Sequence, residues 1–159
     1  HIVFGIDDDN METVVVNALR DRRLTLAAAE SVTGGYLAGR LCAVPGASEV
    51  FRGGIVAYAP EVKFDLLGVP EGPVISEDAA VAMAEGARAR LGADIGIATT
   101  GVAGPDESEG LPVGTVCLAV AAADGAIAST VRLPGDRERI RQFSTITLLD
   151  LLRRVLLDR

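Results

Sequence analysis

This sequence predicts an α/β chain folded as a three-layer α/β/α sandwich on a mixed, mainly parallel sheet. Three observations carry that prediction. Strand and helix signals alternate early in the chain, as in βα units, whose strands pair in parallel. Later, "VGTVCLAVAAADGAIASTVRL" (113–133) divides at Asp124-Gly125, a hairpin turn signal that adds an antiparallel part. Hydrophobic residues make up 49% of the 159 and aromatics only 4%. Ala, Val, Leu and Ile must therefore build the interior, as suits a helix-covered sheet.

The elements follow in order. "DDDNMETVVVNALRDRR" reads as a capped helix, with Asp or Asn ahead of the apolar run and basic residues in its last turn. "LTLAAAE" (24–30) is a buried strand and "GGYLAGRLCAV" (34–44) a helix that stops before Pro45. "FRGGIVAY" (51–58) is a strand, and "PEVKFDLLG" (60–68) a short helix opened by Pro60 and closed by Gly68. "SEDAAVAMAEGARARLG" (76–92) is the clearest helix: Ser76 caps it, Glu77 and Asp78 suit its dipole, and Gly92 ends it. "DIGIATTG" (94–101) is a strand running into the loop "VAGPDESEGLP". The last helix starts near Asp136, with Ile140, Phe143, Ile146, Leu149, Leu152 and Val155 expected along its apolar side. No repeat, low-complexity tract or linker stands out beyond the first ten residues.

Composition excludes several classes of function. The net charge of −7 argues against nucleic-acid binding, which needs a basic face. Charge-free stretches such as 110–123 fall short of the roughly 20 apolar residues of a membrane helix. With no signal-peptide pattern at its start, the chain reads as soluble and cytoplasmic. Cys42 and Cys117 lie among apolar neighbours and read as buried free thiols. His1 is the only histidine, so a His-based triad and a His-rich metal site are excluded and no metal site is expected.

Ligands of open α/β sheets bind beyond the carboxyl ends of the strands, and four polar strand exits stand out. At the first, Glu30–Gly35, two glycines let backbone approach a ligand, and Ser31 either caps the helix, binds phosphate or acts as a nucleophile. At the second, Lys63 lies in the first turn of a helix, where the dipole disfavours a cation. It is either solvated beside Glu61 and Asp65 or a neutral amine available as a base. Tyr58 stands at the same exit. The third, "TTGVAGPD", is either a Gly/Pro turn or a backbone nest with Thr100 on the substrate. The fourth, "PGDRERIR", sets Arg137, Arg139 and Arg141 at a helix N-terminus, paired with Asp136 and Glu138 or poised for an anion.

Together these stretches resemble the CinA C-terminal domain family, whose enzymatic members are nicotinamide mononucleotide deamidases. "AESVTGG" is similar to the family's AESCTGG, "GGIVAYAPEVK" to G-x-V-x-Y-S-N-x-x-K and "TTGVAGPD" to SGIAGPDGG. "PVGTV" and "PGDR" match their counterparts in the same order, over roughly residues 12–157. The resemblance implies hydrolysis of the carboxamide of nicotinamide mononucleotide to nicotinic acid mononucleotide and ammonia, without nucleotide or metal cofactor. By position it implies Ser31 as nucleophile, Lys63 and Tyr58 as proton-handling or orienting partners, and Thr100 with nearby backbone N–H groups at the reacting end. Around them it implies substrate contacts from Glu30, Thr33, Gly34 and Gly35, from Gly101 and Gly104, and from Arg137 and Arg141. Arg137 would take the phosphate, and Glu30 would orient the turn. Amide hydrolysis without His or metal needs just such an activated hydroxyl, unusual base and oxyanion pocket.

Departures from the family pattern bear on the expectation. Val32 replaces the motif's Cys, so no thiol there is essential. Ala59 and Pro60 replace Ser and Asn, and "DESEG" replaces a glycine-rich end, which touches substrate affinity rather than the catalytic set. The opening resembles the connector of two-domain CinA proteins. Residues 1–10 are thus expected to be a connector remnant and 11–159 a single domain, with a nucleotide-pyrophosphatase-like domain preceding it in a full-length chain. Family members commonly form homo-oligomers, and the last helix offers either an interface or an internal face. The rival reading is a non-catalytic nucleotide-binding or assembly module. A cysteine hydrolase is disfavoured, since neither cysteine has a His partner.

Overall fold

Five strands form one sheet in the order β2-β1-β3-β4-β5 in the computed structural model, which describes residues 10–158. The expected connector therefore lies outside the described residues, except for Asn10. Helix α1 (Met11–Arg22) is capped by the Asn10 side chain and precedes β1 (Leu26–Glu30). Then come α2 (Tyr36–Cys42), a 3-10 turn at Ala47–Glu49, β2 (Phe51–Val56) and α3 (Pro60–Leu67). Helix α4 (Glu77–Leu91), β3 (Ile95–Gly101), β4 (Thr115–Ala122), β5 (Gly125–Arg132) and α5 (Arg137–Leu157) complete the expected order.

Strand β1 pairs in parallel with β2 and β3, while β4 is antiparallel to both β3 and β5. Four of the five strands thus point the same way, and β4 alone is reversed. This direction brings the carboxyl ends of β1, β2, β3 and β5 to one edge. The β4–β5 turn, Ala123-Asp124, lies at the opposite edge.

Helices α1, α2 and α5 cover one face over Leu, Ile and Val, and α3 and α4 cover the other over a mostly alanine layer. Strand β1 serves both: Leu26 and Ala28 enter the first core, Ala27 and Ala29 the second. The alternation is the period-2 geometry of a strand buried on both faces.

The buried face of α5 differs from the expected one. Ile140, Leu149 and Leu152 are buried, but Phe143 is 37% exposed, and the stripe runs through Ser144, Thr145, Leu148 and Leu156 instead. Steps of three residues drift by about 60° per step around a 3.6-residue helix, so a run of threes leaves the buried side. Ser144 and Thr145 are tolerated there because their hydroxyls donate to the Ile140 and Arg141 carbonyls at 2.6 and 3.1 Å.

Cys42 is a second correction. Cys117 is buried as expected, whereas Cys42 is exposed. In α2 the buried pair is Leu37 and Leu41, and the next residue turns about 100° away from that face.

Candidate active site

Four strand exits converge on one open cleft of about 290 Å³. Its lining includes Ser31, Tyr58, Lys63, Thr100, Gly101, Gly104 and Arg137. Seven of the twelve residues expected at the site therefore share one cavity. Glu30, Thr33, Gly34, Gly35 and Arg141 do not line it, and their contacts show why.

Glu30 ends β1 fully buried. Its carboxylate accepts from the backbone N–H groups of Gly35 (3.1 Å), Leu37 (3.0 Å) and Ala38 (2.9 Å). These lie at the start of α2, where a helix leaves donors unpaired. The expected substrate contact at Glu30 is thus an internal cap, and the α2 N-terminus already holds its anion. Ser31 is therefore no cap: the N-cap residue is Gly35, without a side chain to bond. The intervening turn needs left-handed backbone at Gly34 (φ 55°) and Gly35 (φ 101°), which glycine adopts without strain.

The remaining residues of this junction brace the turn from behind. Thr33 and Thr99 share a fully buried hydroxyl pair at 2.9 Å, tying the turn to β3. Arg141 donates to the Thr33 carbonyl at 3.0 Å, and its guanidinium would lie 3.3 Å from a Cβ placed on Gly34. What this bracing presents to the cleft is Ser31, 8% exposed, whose backbone N–H is held by the Thr99 carbonyl at 3.1 Å.

Lys63 is buried to 2% exposure, so it is not a solvated lysine beside Glu61 and Asp65. Pro60 opens α3 and sends the chain inward, and the Lys63 Nζ donates to the Tyr58 carbonyl at 3.2 Å. Burial pushes its pKa below the usual lysine value, against the opposing pull of Glu109 and Glu61. Lys63 is also the only lysine in the sequence; the other 14 basic side chains are arginines. That count is a signal the motif reading did not use. Arginine keeps its proton throughout, so only Lys63 can offer a neutral amine.

Thr100 donates its hydroxyl proton to the Val74 carbonyl at 2.7 Å, leaving its oxygen lone pairs toward other donors. Arg137 bridges two lips of the cleft, donating to the Gly104 carbonyl and to the Tyr58 hydroxyl, both at 2.6 Å. Asp136 is the N-cap of α5 rather than a partner of Arg137. Sequence reasoning missed Val74 and Ile75, which also line the cleft together with Asp106 and Ser108 of the "DESEG" loop. Val74 and Ile75 are held by Glu109, 35 and 34 residues away, a pairing with no local sequence signal.

The arrangement puts a hydroxyl, a buried amine, a committed threonine and a guanidinium around one small opening. A family model for the CinA C-terminal domain matches residues 8–156. The chain belongs to the CinA C-terminal domain family. A CinA-like protein of Frankia casuarinae is 56% identical over 97% of this chain, and one of Geobacter metallireducens is 45% identical over 99%. The chain spans 37% and 40% of the lengths of these relatives. Among solved structures, a CinA superfamily protein of Klebsiella pneumoniae superposes with a TM-score of 0.91 at 32% identity, covering 94% of this chain and 97% of that one. The competence/damage inducible protein CihA of Agrobacterium tumefaciens gives 0.86 at 32% identity, covering 98% and 99%. The mixed α/β sandwich is thus the fold of CinA superfamily structures. No helix among the described residues is long and apolar enough to cross a membrane.

Proposed function

We propose that this CinA-family domain is an amidohydrolase that converts nicotinamide mononucleotide to nicotinic acid mononucleotide and ammonia, with Ser31 as nucleophile. The observation that carries the reading is the buried lone lysine opening onto the same cleft as Ser31. In its neutral form the Lys63 amine accepts the Ser31 proton as Oγ attacks the carboxamide carbon. The Ala103 and Gly104 N–H groups, on residues of the cleft wall, stabilise the developing oxyanion. The Lys63 ammonium then returns a proton to the leaving nitrogen, and ammonia departs. Water attacks the acyl-serine carbon, giving a proton to the Lys63 amine, and the resulting ammonium passes it to the Ser31 oxygen as the carboxylic acid product leaves.

Arg137 is the phosphate ligand in this reading. The filled α2 N-terminus favours it, because Glu30 already occupies that anion-binding end. Substrate phosphate exchanges the Tyr58 hydroxyl for a charged partner, a stronger acceptor for guanidinium.

The test is ammonia release from nicotinamide mononucleotide with and without a chelator. Turnover indifferent to chelator, and nearly abolished in a folded Ser31→Ala protein, is expected. Binding of the mononucleotide without release of ammonia would identify a non-catalytic module instead.

A further inference from the structure

Glu109 lies in the "DESEG" loop, where the sequence leaves the family pattern, and holds left-handed backbone (φ 53°) that non-glycine residues seldom adopt. Its two carboxylate oxygens accept from consecutive backbone N–H groups, Val74 and Ile75, each at 2.9 Å. Those residues form one wall of the cleft, and the Val74 carbonyl is the acceptor that fixes the Thr100 hydroxyl at 2.7 Å. A single carboxylate thus links the rim loop, the wall and a residue of the site. We propose that Glu109 is a positioning residue: it fastens the Val74–Ile75 wall that orients Thr100, and it adds one negative charge to the surroundings of Lys63, which lines the same cleft as that wall. The rate effects rest on the amide-hydrolase reading above.

Two carboxylates act on Lys63, Glu61 from its own helix and Glu109 from the loop, and both favour its ammonium form. Asp106 and Arg137 line the same cleft with opposite charges. Glu109 is exposed, so water weakens its pull. Its two roles are told apart by comparing substitutions. Glu109→Gln removes the charge and also one of the two acceptors, because an amide NH2 donates rather than accepts. Glu109→Asp keeps the charge but is one methylene too short to hold both N–H groups in the same way.

Because Lys63 is the only lysine, protein carrying ε-13C-lysine gives one side-chain resonance, whose shift against pH follows its protonation without turnover. Glu109→Gln should lower that midpoint by roughly 0.3 pH unit, the size of a screened charge, and move the acid limb of the rate profile equally. Glu109→Asp should leave the midpoint in place. It should also speed amide exchange at Val74 and Ile75 and cut kcat about tenfold or more with little change in KM, as misplacement of a reacting-end group does. An unmoved Lys63 midpoint in Glu109→Gln overturns the charge role. Unchanged exchange or unchanged kcat in Glu109→Asp overturns the positioning role. A wild-type protein that releases no ammonia defeats the hydrolase reading, while the titration and exchange still judge Glu109.

Discussion

Among the described residues, the Lys63 ammonium would have three donors and one hydrogen-bond acceptor, the Tyr58 carbonyl. Desolvation therefore favours the free amine, and the pKa falls below the usual value. The unfolded chain then binds more protons between the folded and unfolded values, so stability rises with pH across that window. Below that window the lowered pKa costs stability, about 1.4 kcal/mol for each pH unit of depression. Lys63→Met should thus be more stable than wild type at pH 7, with the gap closing toward pH of about 10.4, as paired denaturant titrations would reveal. In the activity assay the same residue works in the other direction. Lys63→Arg, which cannot lose its proton, should be nearly as inactive as Lys63→Ala; an active Arg variant would show that position 63 supplies charge rather than proton transfer. The sequence placed Lys63 at a strand exit. Its burial depends on β2 and α3 folding the side chain inward, which no local pattern states.

At the scale of elements, α2 shows how a short helix depends on a residue outside it. Seven residues form a marginal helix alone, and here the preceding strand's Glu30 supplies the missing acceptor for three N–H groups. Glu30→Ala would strand one buried and two half-buried donors, so a loss of about 2–3 kcal/mol is expected in chemical denaturation. Gly39→Ala, on the exposed side of the same helix with nothing within 4 Å of the new methyl, should instead gain about 0.5–1 kcal/mol. The junction itself was legible from "AESVTGG", because paired glycines between strand and helix signals leave few alternatives. Which oxygen capped the helix was not legible: Ser31 has the usual capping chemistry, and Glu30 wins only because its longer side chain reaches over the turn. In α5 the helix was clear, but which apolar residues faced inward was obscured by Ser144 and Thr145, whose hydroxyls satisfy themselves on the helix backbone.

On the face covered by α3 and α4, the layers are held at close spacing by alanine and glycine. A Cβ on Gly96 of β3 would overlap the Ala84 carbonyl of α4, and one on Gly86 of α4 would overlap the Leu67 carbonyl of α3. Gly96→Ala must push α4 from the sheet, for an expected loss of about 2–3 kcal/mol measured by thermal or denaturant unfolding. A wild-type midpoint in that variant would mean that the layers have slack. The layer architecture was legible because early βα units and a late hairpin leave few ways to order five strands. The reversed β4 then aligns the end of β5 with those of β1 to β3, explaining how residues as distant as Ser31 and Arg137 share a cleft. The Glu109 wall was not legible, since it joins two loops whose contact depends on that completed sheet.

The same reversal has a practical use. The two-residue Ala123-Asp124 turn is exposed and sits at the end of the sheet away from the cleft. It is a natural attachment point for a fluorophore-bearing or surface-tethering peptide. Opening the tight turn gives up its local geometry once, and further lengthening of the then flexible loop costs only about 0.6 kcal/mol per doubling. A tagged protein inserted between Ala123 and Asp124 should keep its wild-type melting temperature to within a few degrees and the ammonia-release rate of the untagged chain. Immobilised by that turn, every molecule would present its cleft to the flowing solution, an orientation that random coupling to the surface cannot impose.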